Sequence, residues 1–202
     1  MASDQKLVHG AGTLPHLTSA ITVSGGYEFP TPFIYAFRYD IGLGNRVQLG
    51  LSASLSGLVN TVEMHSMFNI LKTENDSNFL SLYINPTIYQ TNIFIPFLNI
   101  YRLNAILLNS GIAYEHRFGA ERRFGLYLKT GAHIPIGVGN DDEFVWATPE
   151  SLFMLFMIDG RVGFQALLGE SFSIALEPWM ICFFEKDARI QYGGKVAFTW
   201  AL

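Results

Sequence analysis

Few residues of this 202-residue chain have the type and spacing that chemistry needs. His133 stands just before Ile134-Pro135. Asp141, Asp142 and Glu143 follow in "GVGNDDEF", and Ser151 lies beyond them. A serine, a histidine and an acid can act as nucleophile, base and orienting carboxylate, as in lipid acyl chemistry. No spacing ties these residues into a triad, so a hydrogen-bonded structural histidine is the stronger reading and no enzyme is expected. His65 and His116 lack partners at metal-ligand spacing, and His9 and His16 fall in a polar N-terminal stretch. Cys182 is alone, which excludes an intrachain disulfide and a multi-cysteine zinc site. "NDDE" reads as solvated loop acids, and "GVGN" lacks the lysine and the following helix of a phosphate loop. Neither metal nor other cofactor is expected.

The elements that would position these residues are strands. Half the chain is apolar, only 15% is charged against about 25% in an ordinary soluble domain, and the net charge is −4. No Lys/Arg cluster exists to grip phosphates, so nucleic acid is not an expected partner. The longest uncharged run, Ser77 to Tyr101, contains Pro86 and Pro96 and is rich in Asn and β-branched residues, which argues against a membrane helix. Elsewhere the apolar residues recur in twos. In "FIYAFRYDIGLGNRVQLGLSASLSGL" one parity carries Phe33, Tyr35, Phe37, Tyr39, Ile41 and Leu43, and the other Ile34, Ala36, Arg38, Asp40, Gly42 and Gly44. Gly44-Asn45 marks a hairpin turn.

The same alternation recurs after Leu17, Ile106, Phe124, Met154, Phe172 and Ile190, which makes eight strands. Most have the length a tilted strand needs to cross hydrocarbon. The short turns "LGNR", "FGAERR" and "LGES" alternate with mostly longer connections, Phe29–Pro32, Val59–Asn104, Gly137–Glu150 and Glu185–Asp187. Both chain ends then fall at the short-turn rim, as in a transmembrane barrel.

A soluble barrel would show the same alternation with the faces reversed. The minority face decides between them: it is rich in Gly, Ala and Ser, which suits the crowded interior of a small barrel better than a wet surface. Its charges nearly balance. Asp40, Glu115, Asp159 and Glu177 stand against Arg38, Arg117, Lys129, Arg161, Arg189 and Lys195, and charges inside a barrel must pair. The large apolar parity, with Tyr27, Phe33, Tyr114, Phe118, Phe124, Tyr192, Phe198 and Trp200 towards strand ends, is the expected lipid face.

In this pattern, and in the alternating C-terminal strand "IQYGGKVAFTWAL", the chain resembles small bacterial outer-membrane β-barrels of the OmpA, OmpX and OmpW class. The resemblance implies an all-β, closed antiparallel transmembrane barrel in the bacterial outer membrane, as a mature form without its signal peptide. It also implies the barrel-assembly machinery as a partner during biogenesis, the last strand being its signal. Such a strand normally closes on Phe, whereas this one ends on Leu202.

On this reading residues 1–16 form a polar N-terminal segment and 17–202 one barrel domain, with 59–104 as a long insertion. In the first part of that insertion, Val62, Met67, Phe68, Ile70 and Leu71 suggest a short amphipathic helix. The second part is apolar on both parities, and the alternative is an extra hairpin that gives ten strands. Phe79, Leu80, Leu82, Tyr83, Ile84, Ile93, Phe94, Ile95, Phe97 and Leu98 are the expected lipid or oligomer contacts. The expected function is a structural or interaction barrel with a filled lumen, self-associating in the membrane plane and touching lipid through 59–104. A narrow channel or small hydrophobic-ligand transporter is the alternative, and a lipid-modifying enzyme the second.

Overall fold

The computed structural model describes residues 9–28, 31–56, 59–93, 101–139, 144–148, 156–184 and 189–202. Its strands are β1 (Ser19–Glu28), β2 (Thr31–Gly42), β3 (Val47–Ser56), β4 (Val59–Lys72), β5 (Asn78–Ile93) and β6 (Tyr101–Phe118). They continue as β7 (Phe124–Gly139), β8 (Phe144–Trp146), β9 (Met157–Leu167), β10 (Phe172–Phe183) and β11 (Arg189–Ala201). Each barrel strand pairs antiparallel with its neighbour in sequence, β9 pairs with β7, and β1 closes on β11, from Ala20 opposite Ala201 to Glu28 opposite Gly193. Ten strands make the ring, and short β8 lies outside it against the end of β7. Closure leaves no free edge in the ring, whose strands would otherwise aggregate.

The ring corrects the expected count of eight. The segment 59–104 is no insertion: it supplies β4, β5 and the start of β6. The expected helix is β4, with Val62, Met64, Phe68 and Ile70 outward and Glu63, His65, Met67 and Asn69 inward. A bulge between Asn69 and Leu71 turns both Ile70 and Leu71 outward, which breaks the period of two and imitates a helical face. The β4–β5 ladder also opens between Glu63–Thr87 and Met67–Tyr83, beside Pro86, which brings no N–H. There the Asn85 side chain takes over and accepts the backbone N–H of Ser66 at 3.2 Å.

The faces fall as the residue types dictate. Val23, Tyr35, Phe37, Tyr39, Leu51, Leu128, Val162 and Leu176 are exposed on the outer wall. Asp40, Ser81, Asn109, Glu115, Gln165 and Thr199 are buried within. Aromatic rings gather outside near one rim, where Phe118, Phe124 and Phe164 pack together and Phe172 stacks on Phe198 and meets Trp200 at a tilt. That rim also carries the start of β1, Leu202 and the turns 43–46, 73–77, 119–123 and 168–171, and is termed the terminal rim. The opposite one is the loop rim.

Candidate functional site

Residues 9–16 do not trail from the barrel; they cross its bore inside the terminal rim. The Leu14 N–H donates to Gln48 Oε1 of β3 at 3.0 Å, and the Gly12 N–H to Glu115 Oε2 of β6 at 2.7 Å. The Ala11 carbonyl accepts from Asn69 of β4 and Ser81 of β5. His9 reaches the far wall, where its N–H donates to Gln165 of β9 at 3.1 Å and its Nε2 lies 2.6 Å from Thr199 Oγ1 of β11. Buried backbone groups outside a sheet need such side-chain partners, and the inner wall supplies them from opposite sides of the ring.

The composition of "HGAG" follows from this crossing. A Cβ at Gly10 would collide with the Glu115 carboxylate, and one at Gly12 with the Arg117 guanidinium. Ala11 packs into a small apolar cluster with Phe79, Tyr83 and Ala113, and the Arg117 guanidinium lies 4.2 Å from the Phe79 ring centroid. These contacts explain the inward Phe79 and Tyr83 of β5: they meet the crossing segment.

Above this floor the wall carries paired charges. Arg38 makes two bonds to Asp40, at 2.6 and 2.8 Å, and Gln48 donates to the same carboxylate. Arg161 Nε lies 2.7 Å from Asp159, and Lys195 Nζ 2.8 Å from Glu177 Oε1. Tyr127 donates to Glu177 at 2.9 Å. On β4, Glu63 Oε1 lies 2.9 Å from His65 Nδ1, while His65 Nε2 lies 2.8 Å from Ser52 and Asn85 donates to Glu63. Between these walls is a cavity of about 260 Å³. It runs from His9, Gln48 and Met67 on the floor to Tyr27, Val59, Trp179 and Ile181 towards the loop rim.

The candidate residues are distributed as follows. Of the ten expected lumen charges, Arg38, Asp40, Glu115, Arg117, Lys129, Asp159, Arg161, Glu177 and Lys195 are on the inner wall. The Arg189 side chain lies outside the described residues. Of the expected lipid contacts, Leu80, Leu82 and Ile84 face outward, but Phe79 and Tyr83 point inward onto the crossing segment, which corrects their placement. The Ile93 side chain and Phe94, Ile95, Phe97 and Leu98 lie outside the described residues. His133 is buried, with Nε2 3.4 Å from Asp159 Oδ1. Asp141, Asp142, Glu143 and Ser151 are outside the described residues.

The sequence reading missed His9, Glu63 and His65 as lumen groups, whereas Gln48, Asn109 and Gln165 stand on the parity it turned inward but carried no role there. Glu63 and His65 share one strand parity, a signal hidden by the helical reading. His9 carries no periodic signal at all.

No family model matches the chain, and no curated relative does. Among solved structures it is similar to the NanC porin, with a TM-score of 0.51 at 10% identity over 90% of this chain and 100% of that one. It is equally similar to an outer-membrane channel from Pseudomonas putida F1, with a TM-score of 0.51 at 7% identity over 98% and 100% of the two chains. The fold is that of a bacterial outer-membrane β-barrel. Identities this low establish the fold alone. The exposed apolar wall is the face such a barrel turns to lipid, and the polar wall is its lumen.

A charge on the barrel's lipid face must therefore be expensive. Leu51, near the middle of β3, is 56% exposed on the outer wall. Leu51→Arg is expected to lower stability by about 2–4 kcal/mol in phosphatidylcholine vesicles. Urea titration of folded and unfolded bands measures it, and the inward Ser52→Arg provides the contrast.

Proposed function

We propose that this barrel is a narrow outer-membrane channel for small polar solutes, closed at its terminal rim by residues 9–16. The observation that carries the reading is the polar cavity held within a ten-stranded wall and floored by His9. Eight strands leave a bore that side chains fill, whereas ten leave space in which a solute can lie. The similarity to a porin and to an outer-membrane channel supports the same reading at the level of fold. The crossing segment is held by hydrogen bonds and one small apolar cluster, which are contacts that can be released without opening the sheet.

Planar-bilayer recording of the full chain and of a variant lacking residues 1–16 tests the proposal. The full chain is expected to conduct rarely and in small steps, and the truncated chain steadily, with at least tenfold larger mean conductance. A truncated chain that refolds into a heat-modifiable barrel and passes no current would overturn it.

A further inference from the structure

The cavity wall is uneven in a way the channel reading does not require. Arg38, Lys129, Arg161 and Lys195 line it, but the Asp40 and Asp159 carboxylates that pair with the two arginines do not. Those carboxylates sit behind their partners, so the basic tips face the space. At Lys195 the contrast is 34% side-chain exposure against 4% for Glu177 beneath it. Lys129 goes further. Among the described residues no carboxylate lies within ion-pair reach of its ammonium, which sits 5.2 Å from the centroid of the Tyr127 ring.

A second observation lies on the adjoining wall. Asn109 of β6 and His133 of β7 face each other in register, both are at least 98% buried, and both line the cavity. Neither Asn109 Oδ1 nor His133 Nδ1 has a hydrogen-bond partner among the described residues. Buried polar atoms are normally satisfied, and the cavity is where their partner can sit. Its volume far exceeds the roughly 10–15 Å³ that a single water needs.

We infer that the lumen binds a small hydroxylated carboxylate, with its carboxylate against Lys129 and the neighbouring basic tips and its hydroxyls against Asn109 and His133. This deepens the channel reading and rests on it. A carboxylate gives Lys129 the counter-charge that the wall withholds. Hydroxyls rather than an ammonium suit the second subsite, because four basic side chains already line the space beside only Glu63 and Glu177. A hydroxyl also donates to Asn109 Oδ1 and accepts from or donates to His133 Nδ1 as its tautomer requires.

Titration calorimetry of the full chain refolded in detergent, with sodium gluconate, propionate and glucose as probes, tests the site. Gluconate is expected to bind at least tenfold more tightly than propionate or glucose. Lys129→Met is expected to weaken gluconate at least tenfold, and Asn109→Leu to remove its advantage over propionate while the carboxylate still binds. Lys129→Gln replaces the methionine variant if heat-modifiable mobility shows that it has not folded. Equal binding of gluconate and glucose, or no saturable binding of any probe, would overturn the site. Steady conductance by the truncated chain without gluconate binding would sink this site and leave the channel standing, and binding without conductance would do the reverse.

Discussion

Replacing Glu115 by alanine is expected to release the crossing segment and to destabilise the barrel by about 3–5 kcal/mol, because a buried charge then loses its partner. Glu115 has no solvent exposure. One of its oxygens accepts from Arg117 Nε at 2.6 Å and from Gln165 Nε2 at 2.7 Å, and the other from the Gly12 N–H. Three donors from two strands and the segment converge on one carboxylate. Its removal takes from the Arg117 guanidinium, itself 3% exposed and facing Phe79, the carboxylate that it bonds at 2.6 Å. Glu115→Gln keeps an acceptor for Gly12 and should lose less. Urea unfolding in vesicles measures the stability, and bilayer recording measures the opening. If Glu115→Ala loses under 1 kcal/mol and stays closed, the carboxylate does not hold the segment.

Acid should open the bore through His9. Burial pushes the pKa of this imidazole down to about 3, Arg38, Lys195 and Lys129 press in the same direction, and Glu177 opposes them. The docked His9 is therefore neutral, while a released one would titrate near its ordinary value of about 6.5. Above that value both states are neutral and docking is at full strength. As the pH falls below it, only the released state takes up a proton. Docking then weakens by about 1.4 kcal/mol per pH unit until about pH 3, where the docked form protonates too. Mean conductance should thus be flat above pH 7 and climb steeply between pH 6 and 4. His9→Gln, which keeps a polar group but does not titrate, should flatten that climb. A wild-type profile that is level from pH 7 to 4 would show that His9 does not govern release.

The strands that were legible in the sequence share one property. In β2 every outward position from Phe33 to Tyr39 is large and apolar, and the inner set from Ala36 to Gly42 is small or charged, so lipid and lumen each select against the other's residues. The balanced charges of that inner set can be read as lumen groups for the same reason. β4 and β5 hide because their inner faces serve more than the lumen. Glu63 and His65 bind each other and Asn85, while Phe79 and Tyr83 meet Ala11, and a bulge shifts the phase at Asn69. Counting eight strands follows from reading a bilayer-facing rule into a segment with a second neighbour. The floor of the cavity is invisible for a different reason. His9 to Leu14 has neither helix nor strand period, and its partners lie 32 to 190 residues away in the chain. Its only trace is the pair Gly10 and Gly12, whose reason becomes clear once Glu115 and Arg117 stand beside them.

The reach of that segment also fixes an order of events during assembly. Leu14 and Ala11 attach to β3, β4 and β5, which are made early, but His9 attaches to β9 and to Thr199 of β11, the last strand. The two walls stand at the right separation only after β11 has met β1 along its seam. Residues 9–14, which precede every strand of the ring in the chain, must therefore wait for β11 to be threaded before they can seat fully. A seated crossing segment is a record, written ahead of β1, that the cylinder has been completed.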